Sequence, residues 1–286
     1  MIIHASLKTD VSYFYTQWLI NRLKEGYFDI PATKPGEINR YDLKNNTIEK
    51  IYLHTRNPIK IIKNSQSFKM LKYEYEVVTH ISLYDKFYEP KIIDKYKIFD
   101  YVRKCETLFG KKNNSLCYGP IFKTINNDLE WHIAQFRFLC KILSKSIGTI
   151  YYNFNFNTIC KNSTYFSAEE LTQEEKKYLI IEFKKITDKY GLNLKKMQTE
   201  EEFKYDEIDI GEKDACPATC KHCPYISNGK TSIIKSNMHN PDSSLLIGNP
   251  NRSENITKID FKSQKEEVNK LENTQEIKQF SLFDIM

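Results

Sequence analysis

The sequence predicts an α/β protein built as a partial (βα)6 TIM-like barrel, followed by a cysteine loop and a weakly ordered C-terminal tail. Three observations predict it. Short apolar runs alternate with helical-period runs through the first 198 residues, six times over. Helix-capping residues and glycines separate the runs. Polar residues gather where each strand ends, at Ser6/Thr9/Asp10, Thr55/Arg56/Asn57, Thr79/Ser82 and Asn153/Asn155, and barrels carry their chemistry at those ends. Repeated β–α units imply parallel strands joined by right-handed crossovers. A doubly wound sheet is compatible with the same alternation, and the clustering at strand ends favours the barrel.

The first unit opens with an apolar strand over residues 2–6. Thr9 and Asp10 offer side-chain oxygens to the N-terminus of a helix carrying Val11, Phe14, Tyr15, Trp18, Leu19 and Leu23. Gly26 is placed to end it in the left-handed conformation. Residues 27–47, with two prolines and a glycine, read as a loop or small hairpin. The second strand spans 48–54, and Pro58 suits the first turn of the next helix. The third strand spans 75–81. A helix after Pro90 carries Ile92, Ile93, Tyr96, Phe99 and Val102 and closes near Gly110. The fourth strand spans 115–118, and Asn127 or Asp128 caps the following helix. The fifth strand spans 148–154. Thr172 and Glu175 have the spacing of a capping box, opening a helix that stops at Gly191 before a sixth strand over 192–197.

The expected organisation is a barrel-like domain over 1–198, a metal- or cluster-binding segment over 199–248, and a tail over 249–286. A hydrophobic content of 40% supports a sizeable core. No run of 18 apolar residues exists, so no transmembrane helix is expected, and a cytoplasmic protein is. The net charge is +6, and residues 226–286 carry eight residues of each sign, so the excess is confined to 1–225. A basic excess attracts phosphate-rich partners, although a Lys- and Asn-rich composition accounts for it equally and no dense basic patch stands out.

Three of the seven cysteines, Cys216, Cys220 and Cys223, fall within eight residues in a C-x3-C-x2-C pattern. One short loop can turn three thiolates onto one inorganic centre, and thiolates select zinc or iron–sulfur clusters. Zinc would require a fourth ligand, with His222 or His239 available. A [4Fe–4S] cluster held by three thiolates leaves one iron open for S-adenosylmethionine, the cofactor set of radical chemistry. Arg56 is a fixed cation at a strand exit, suited to a carboxylate or phosphate. Thr55, Arg56 and Asn57 are therefore candidate substrate or cofactor contacts.

Several fragments occur in a telling order: Ile3-x-Ala5-Ser6-x-x-Thr9-Asp10, Thr55-Arg56-Asn57-Pro58, Tyr118-Gly119-Pro120, Asp209-Ile210-Gly211 before the cysteines, and residues 239–248. In them the chain resembles the bacterial family known as domain of unknown function 1848. That family is similar to spore photoproduct lyase and radical S-adenosylmethionine enzymes. The resemblance implies a cluster at Cys216, Cys220 and Cys223 and, if the protein is an enzyme, a lyase or transferase. The chain departs from the pattern in reading Cys117-Tyr118-Gly119-Pro120 where the family reads Arg-Tyr-Asp-Pro; its cysteines follow the sixth strand, as in this family, whereas in classical radical S-adenosylmethionine enzymes they follow the first. Gln279-Phe280-Ser281-Leu282-Phe283 resembles the pentapeptide that binds the bacterial DNA sliding clamp, which implies DNA and the clamp as partners. The alternative function is a non-catalytic protein, stabilised by a cluster or zinc and recruited through its tail.

Overall fold

The computed structural model describes residues 1–210 apart from 8–9, 32–37, 45–46, 85–92, 156–167, 200–201 and 205–206. The cysteine loop and the tail, with Cys216, Cys220, Cys223 and residues 279–283, lie outside the described residues.

Seven strands form one curled, all-parallel half-barrel sheet. They are β1 (Ile2–Ala5), β4 (Lys50–Thr55), β5 (Tyr75–Ile81), β6 (Asn114–Tyr118), β7 (Thr149–Tyr152), β8 (Asn193–Lys196) and β9 (Glu207–Asp209). The spatial order is β8-β7-β6-β5-β4-β1-β9, so the six expected strands lie side by side in chain order. A doubly wound sheet would reverse direction at a switch point, and these six strands show no reversal. Between β1 and β4 the chain inserts an antiparallel hairpin, β2 (Tyr27–Pro31) and β3 (Ile38–Asp42), which settles the polar excursion as a hairpin. The seventh strand, β9, pairs with β1 and was not expected, because three residues are too few to show a period.

Helices α1 (Val11–Phe14), α2 (Thr16–Glu25), α3 (Ile59–Lys63), α4 (Ser65–Met70), α5 (Lys95–Phe109), α6 (Leu129–Leu143) and α7 (Gln173–Tyr190) follow the strands. The first expected helix is two. Tyr15 leaves helical geometry at φ −125° and buries its ring, while the Ser12 hydroxyl donates to Ala5 O at 2.7 Å instead of solvating the turn. Ile93 precedes α5, whose first turn is capped by Asp94. The other signals hold: Gly26 and Gly191 are left-handed caps, Asp128 caps α6, and Thr172 and Glu175 complete a capping box.

One face of the sheet supplies the core. Ile3, Ala5, Ile51, Leu53, Tyr75 and Val77 pack against α1 to α5 and the hairpin. Ile81, Leu116, Tyr118 and Ile150 pack against α5, α6 and α7. The alternate residues of the same strands face the concave side, where a buried apolar cluster contains no helical residue: Val78, Cys117, Tyr151 and Met197.

Candidate functional site on the concave face

Parallel sheets covered on both faces read as continuous apolar runs. Here they alternate. Strand β4 reads Lys50-Ile-Tyr52-Leu-His54, β5 reads Glu76-Val-Val78-Thr-His80 and β6 reads Ser115-Leu-Cys117. Because successive side chains take opposite faces, Lys50, Tyr52 and His54, Glu76 and His80, and Ser115 fall on the concave side.

The register aligns this set in two diagonals. His4 pairs with Tyr52, and His54 lies two residues beyond Tyr52. His54 pairs with Val78, and His80 lies two beyond Val78. Each step therefore moves one strand across and one layer towards the C-terminal rim. Along this line His4 Nδ1 meets His54 Nε2 at 3.0 Å, and His54 Nδ1 meets His80 Nε2 at 3.0 Å. His4 and His54 are 4% and 2% exposed, whereas His80 is partly exposed. The His4 ring also stacks on Tyr52 at 5.0 Å and on Phe203 at 4.4 Å.

The second diagonal is Lys50, Glu76, Ser115 and Tyr151. Glu76 is buried, and its carboxylate accepts from Ser115 Oγ at 2.6 Å, Tyr151 OH at 3.1 Å and Lys50 Nζ at 3.2 Å. Three donors, one of them a cation, keep a carboxylate in place where water would otherwise be needed.

Burial sets the charge of the histidine line. It pushes His4 down to about 4. Burial, with the nearby Arg56 cation second, pushes His80 down to about 3. His54 is lowered by burial and by its two imidazole neighbours. All three are neutral at pH 7. Burial raises the Cys117 thiol to about 12, so it is not a thiolate, and burial raises Tyr151 with Glu76 adding to the effect.

At the rim, Asp10 caps α1 through Tyr13 N at 3.0 Å and also accepts from Thr55 Oγ1 and Arg56 N, both at 2.9 Å. Burial raises its carboxyl to about 7, against the lowering effect of those donors. The Thr55–Asn57 candidates therefore divide. Thr55 and Asn57 are buried turn-builders: Asn57 N donates to Thr55 Oγ1 at 3.0 Å, and Ile59 N donates to Asn57 Oδ1 at 3.2 Å. Arg56 sends its charge over the concave side, where it acts on His80 and Cys117. Other rim residues also have structural work. Asn153 Oδ1 accepts from Asn155 N at 2.8 Å. Thr79 sits in strand β5 on the helix-covered face rather than at the rim, because its phase is opposite to that of His80. Ser6 Oγ donates to the Asp209 carboxylate, and Leu7 N donates to the same group at 2.8 Å.

The histidine line went unmarked in the sequence reading because each histidine, taken alone, sits in an apolar strand. The usable signal was shared phase, with one histidine in the same alternation on each of three neighbouring strands.

Among the described residues, no group of three or more His, Cys, Asp or Glu side chains could hold a metal ion. The cysteines Cys105, Cys117 and Cys140 are buried, with thiols raised to about 12 by burial. Also among the described residues, no helix is long and apolar enough to cross a membrane.

Fold and site together define an α/β protein whose curled parallel sheet is apolar towards its helices and polar within. The chain belongs to the family described as Domain of unknown function (DUF1848), whose model matches residues 2–208. That match runs from the start of β1 into β9 and so contains both polar diagonals. No curated protein matches the chain, and no solved structure does.

Proposed function

We propose that the concave face is the reaction site, and that the protein is a radical S-adenosylmethionine-type enzyme, a lyase or transferase acting on nucleic acid, on a (βα)6 TIM-like partial barrel. The observation that carries the reading is the double diagonal of buried polar side chains on a face where a packed sheet would be apolar. Burying Glu76, His4 and His54 costs folding energy unless their function repays it.

Ligation of a [4Fe–4S] cluster falls to Cys216, Cys220 and Cys223 by their C-x3-C-x2-C spacing, and Cys105, Cys117 and Cys140 are buried neutral thiols unsuited to it. Five residues separate Ile210 from Cys216. At about 3.5 Å per residue this stretch spans at most about 20 Å, the furthest that Cys216 can lie from Ile210, the residue after β9. Such a cluster, when bound, supplies one electron to S-adenosylmethionine. The chain's own groups do the rest. Arg56 offers a cation to a carboxylate or phosphate, the Glu76 carboxylate holds the floor of the site, and the histidine line manages protons. Nucleic acid is the proposed substrate class, from the basic excess of residues 1–225. Residues 279–283 would recruit the protein to the DNA sliding clamp.

Anaerobic purification with iron, sulfide and zinc analysis tests the reading, with electron paramagnetic resonance after reduction. About four irons and four sulfides per chain, and a spectrum changed by S-adenosylmethionine, are expected. One zinc without sulfide would instead establish the alternative, a zinc-stabilised binding protein.

A further inference from the structure

Three neutral imidazoles joined end to end have a property that none has singly. Each N···N contact of 3.0 Å holds one proton, so neighbouring tautomers are coupled. With all three rings neutral, the line has two registers. In the first, every ring carries its proton on Nδ1: His4 donates to His54, His54 donates to His80, and His4 Nε2 is a bare lone pair. In the second, every proton sits on Nε2, the donations reverse, and His4 Nε2 carries an N–H. Interconversion moves one proton between His4 Nε2 and His80 Nδ1.

The surroundings choose between the registers. His4 Nε2 is buried and has no hydrogen-bond partner among the described residues. The second register would strand an N–H there, and orphaned buried N–H groups are rare and costly. The first leaves a bare lone pair on the concave side of β1, and a lone pair costs less to bury than an N–H. The neighbours of His4 are the rings of Tyr52 and Phe203, which hold the imidazole in plane without competing for that nitrogen. At the other end His80 is the partly exposed member, beside the cationic Arg56 and the neutral Cys117.

We propose that His4, His54 and His80 form a proton relay, in which His4 Nε2 is the general base towards a ligand on the concave face and His80 returns the proton to solvent. The ligand class is one that brings a proton to the nitrogen: a hydroxyl, an amine or an acidified C–H. Abstraction places the ligand's proton on His4 Nε2 and leaves the bonding pair on the ligand. The Nδ1 proton of His4 passes to His54 Nε2, that of His54 Nδ1 passes to His80 Nε2, and that of His80 Nδ1 leaves to water. The line ends in the second register, one proton has crossed, and charge balances. The relay uses no atom of the cysteine loop, so it stands or falls independently of the cluster.

The chain has only six histidines, which suits histidine-selective 15N labelling of the full-length protein. Long-range 15N–1H spectra at pH 7 read each ring's tautomer. The expected pattern is neutral His4, His54 and His80, all protonated on Nδ1. An imidazolium at any of the three, or opposite tautomers on adjacent rings, overturns the proposal. In His54→Gln, glutamine can hydrogen-bond at this position but cannot pass a proton. The expected result is at least tenfold slower solvent exchange of the His4 ring N–H. Exchange at His132, buried away from the line against Tyr118 OH and Phe122 O, should be unchanged. Unchanged exchange at His4 would overturn the relay. His80→Gln breaks the line at its partly exposed end should the His54 variant fail to fold. The tautomer pattern is read on the unaltered protein and decides the matter without either variant.

Discussion

A buried imidazole makes stability depend on pH in a predictable sense. His4 and His132 are held near 4 by burial, while an unfolded histidine titrates near its ordinary 6.5. Above 6.5 both states are neutral and the fold keeps its full stability. As pH falls towards 4, the unfolded chain takes up protons that the fold refuses, and stability is lost. His54 and His80 act in the same direction. Asp10 opposes them: its carboxyl is raised to about 7, so its contribution is present below the ordinary carboxylate value and lost as pH rises. Four histidines outweigh one aspartate. Between pH 7 and pH 5, His4, His80 and His132 each withdraw about 2 kcal/mol, against about 2 kcal/mol returned by Asp10. The expected outcome is a lower denaturation midpoint at pH 5 than at pH 7. A flat profile would mean that the imidazoles are protonated within the fold.

At the scale of elements, the turns that end each strand shape the rim. Gly119 follows β6 at φ +137°, and a Cβ built there would lie 2.5 Å from the Asn153 carbonyl oxygen. Glycine at 119 is therefore tied to this chain's own β6–β7 packing. Gly119→Ala should cost about 2–3 kcal/mol, visible as a lowered Tm. The α7 capping box gives a milder case: Thr172 Oγ1 accepts from Glu175 N at 3.2 Å while Glu175 returns the bond to Thr172 N at 2.8 Å. Thr172→Ala should lose about 1 kcal/mol, and an unchanged Tm would show that α7 is held by its packing alone. These features were legible in the sequence because caps and left-handed glycines are local. The break at Tyr15 was not, because it is a change of backbone angle within an uninterrupted helical apolar pattern. The histidine line was legible strand by strand and hidden as a set, since strand order and register assemble it.

Across the whole molecule, the open sheet has to manage two edges. At one, β8 exposes Lys195 and Lys196, charged side chains that discourage another strand from adding. At the other, β9 covers β1 with three residues, too short to stay by ladder bonds alone. Asp209 supplies the anchor. Its carboxylate takes the Ser6 hydroxyl and the Leu7 amide, tying the C-terminal edge of the sheet to the exit of the first strand over 200 residues of sequence. Asp209→Ala would leave both donors without their acceptor, Ser6 among them buried, at a cost of about 3 kcal/mol. Glu207→Ala, in the same strand, removes no comparable contact and should stay within about 0.5 kcal/mol of the parent. If both variants melt together with the parent, β9 is a passive edge. If only Asp209→Ala falls, the strand is held by its carboxylate. The chain would then leave the sheet at a fixed point, Asp209, seven positions before Cys216. A fixed exit is what a rim-mounted cluster requires, because reactive groups must be positioned to within about 0.5 Å to be useful. Iron content after anaerobic purification should therefore drop in Asp209→Ala and hold in Glu207→Ala, coupling the stability of one edge strand to the loading of the cysteine loop.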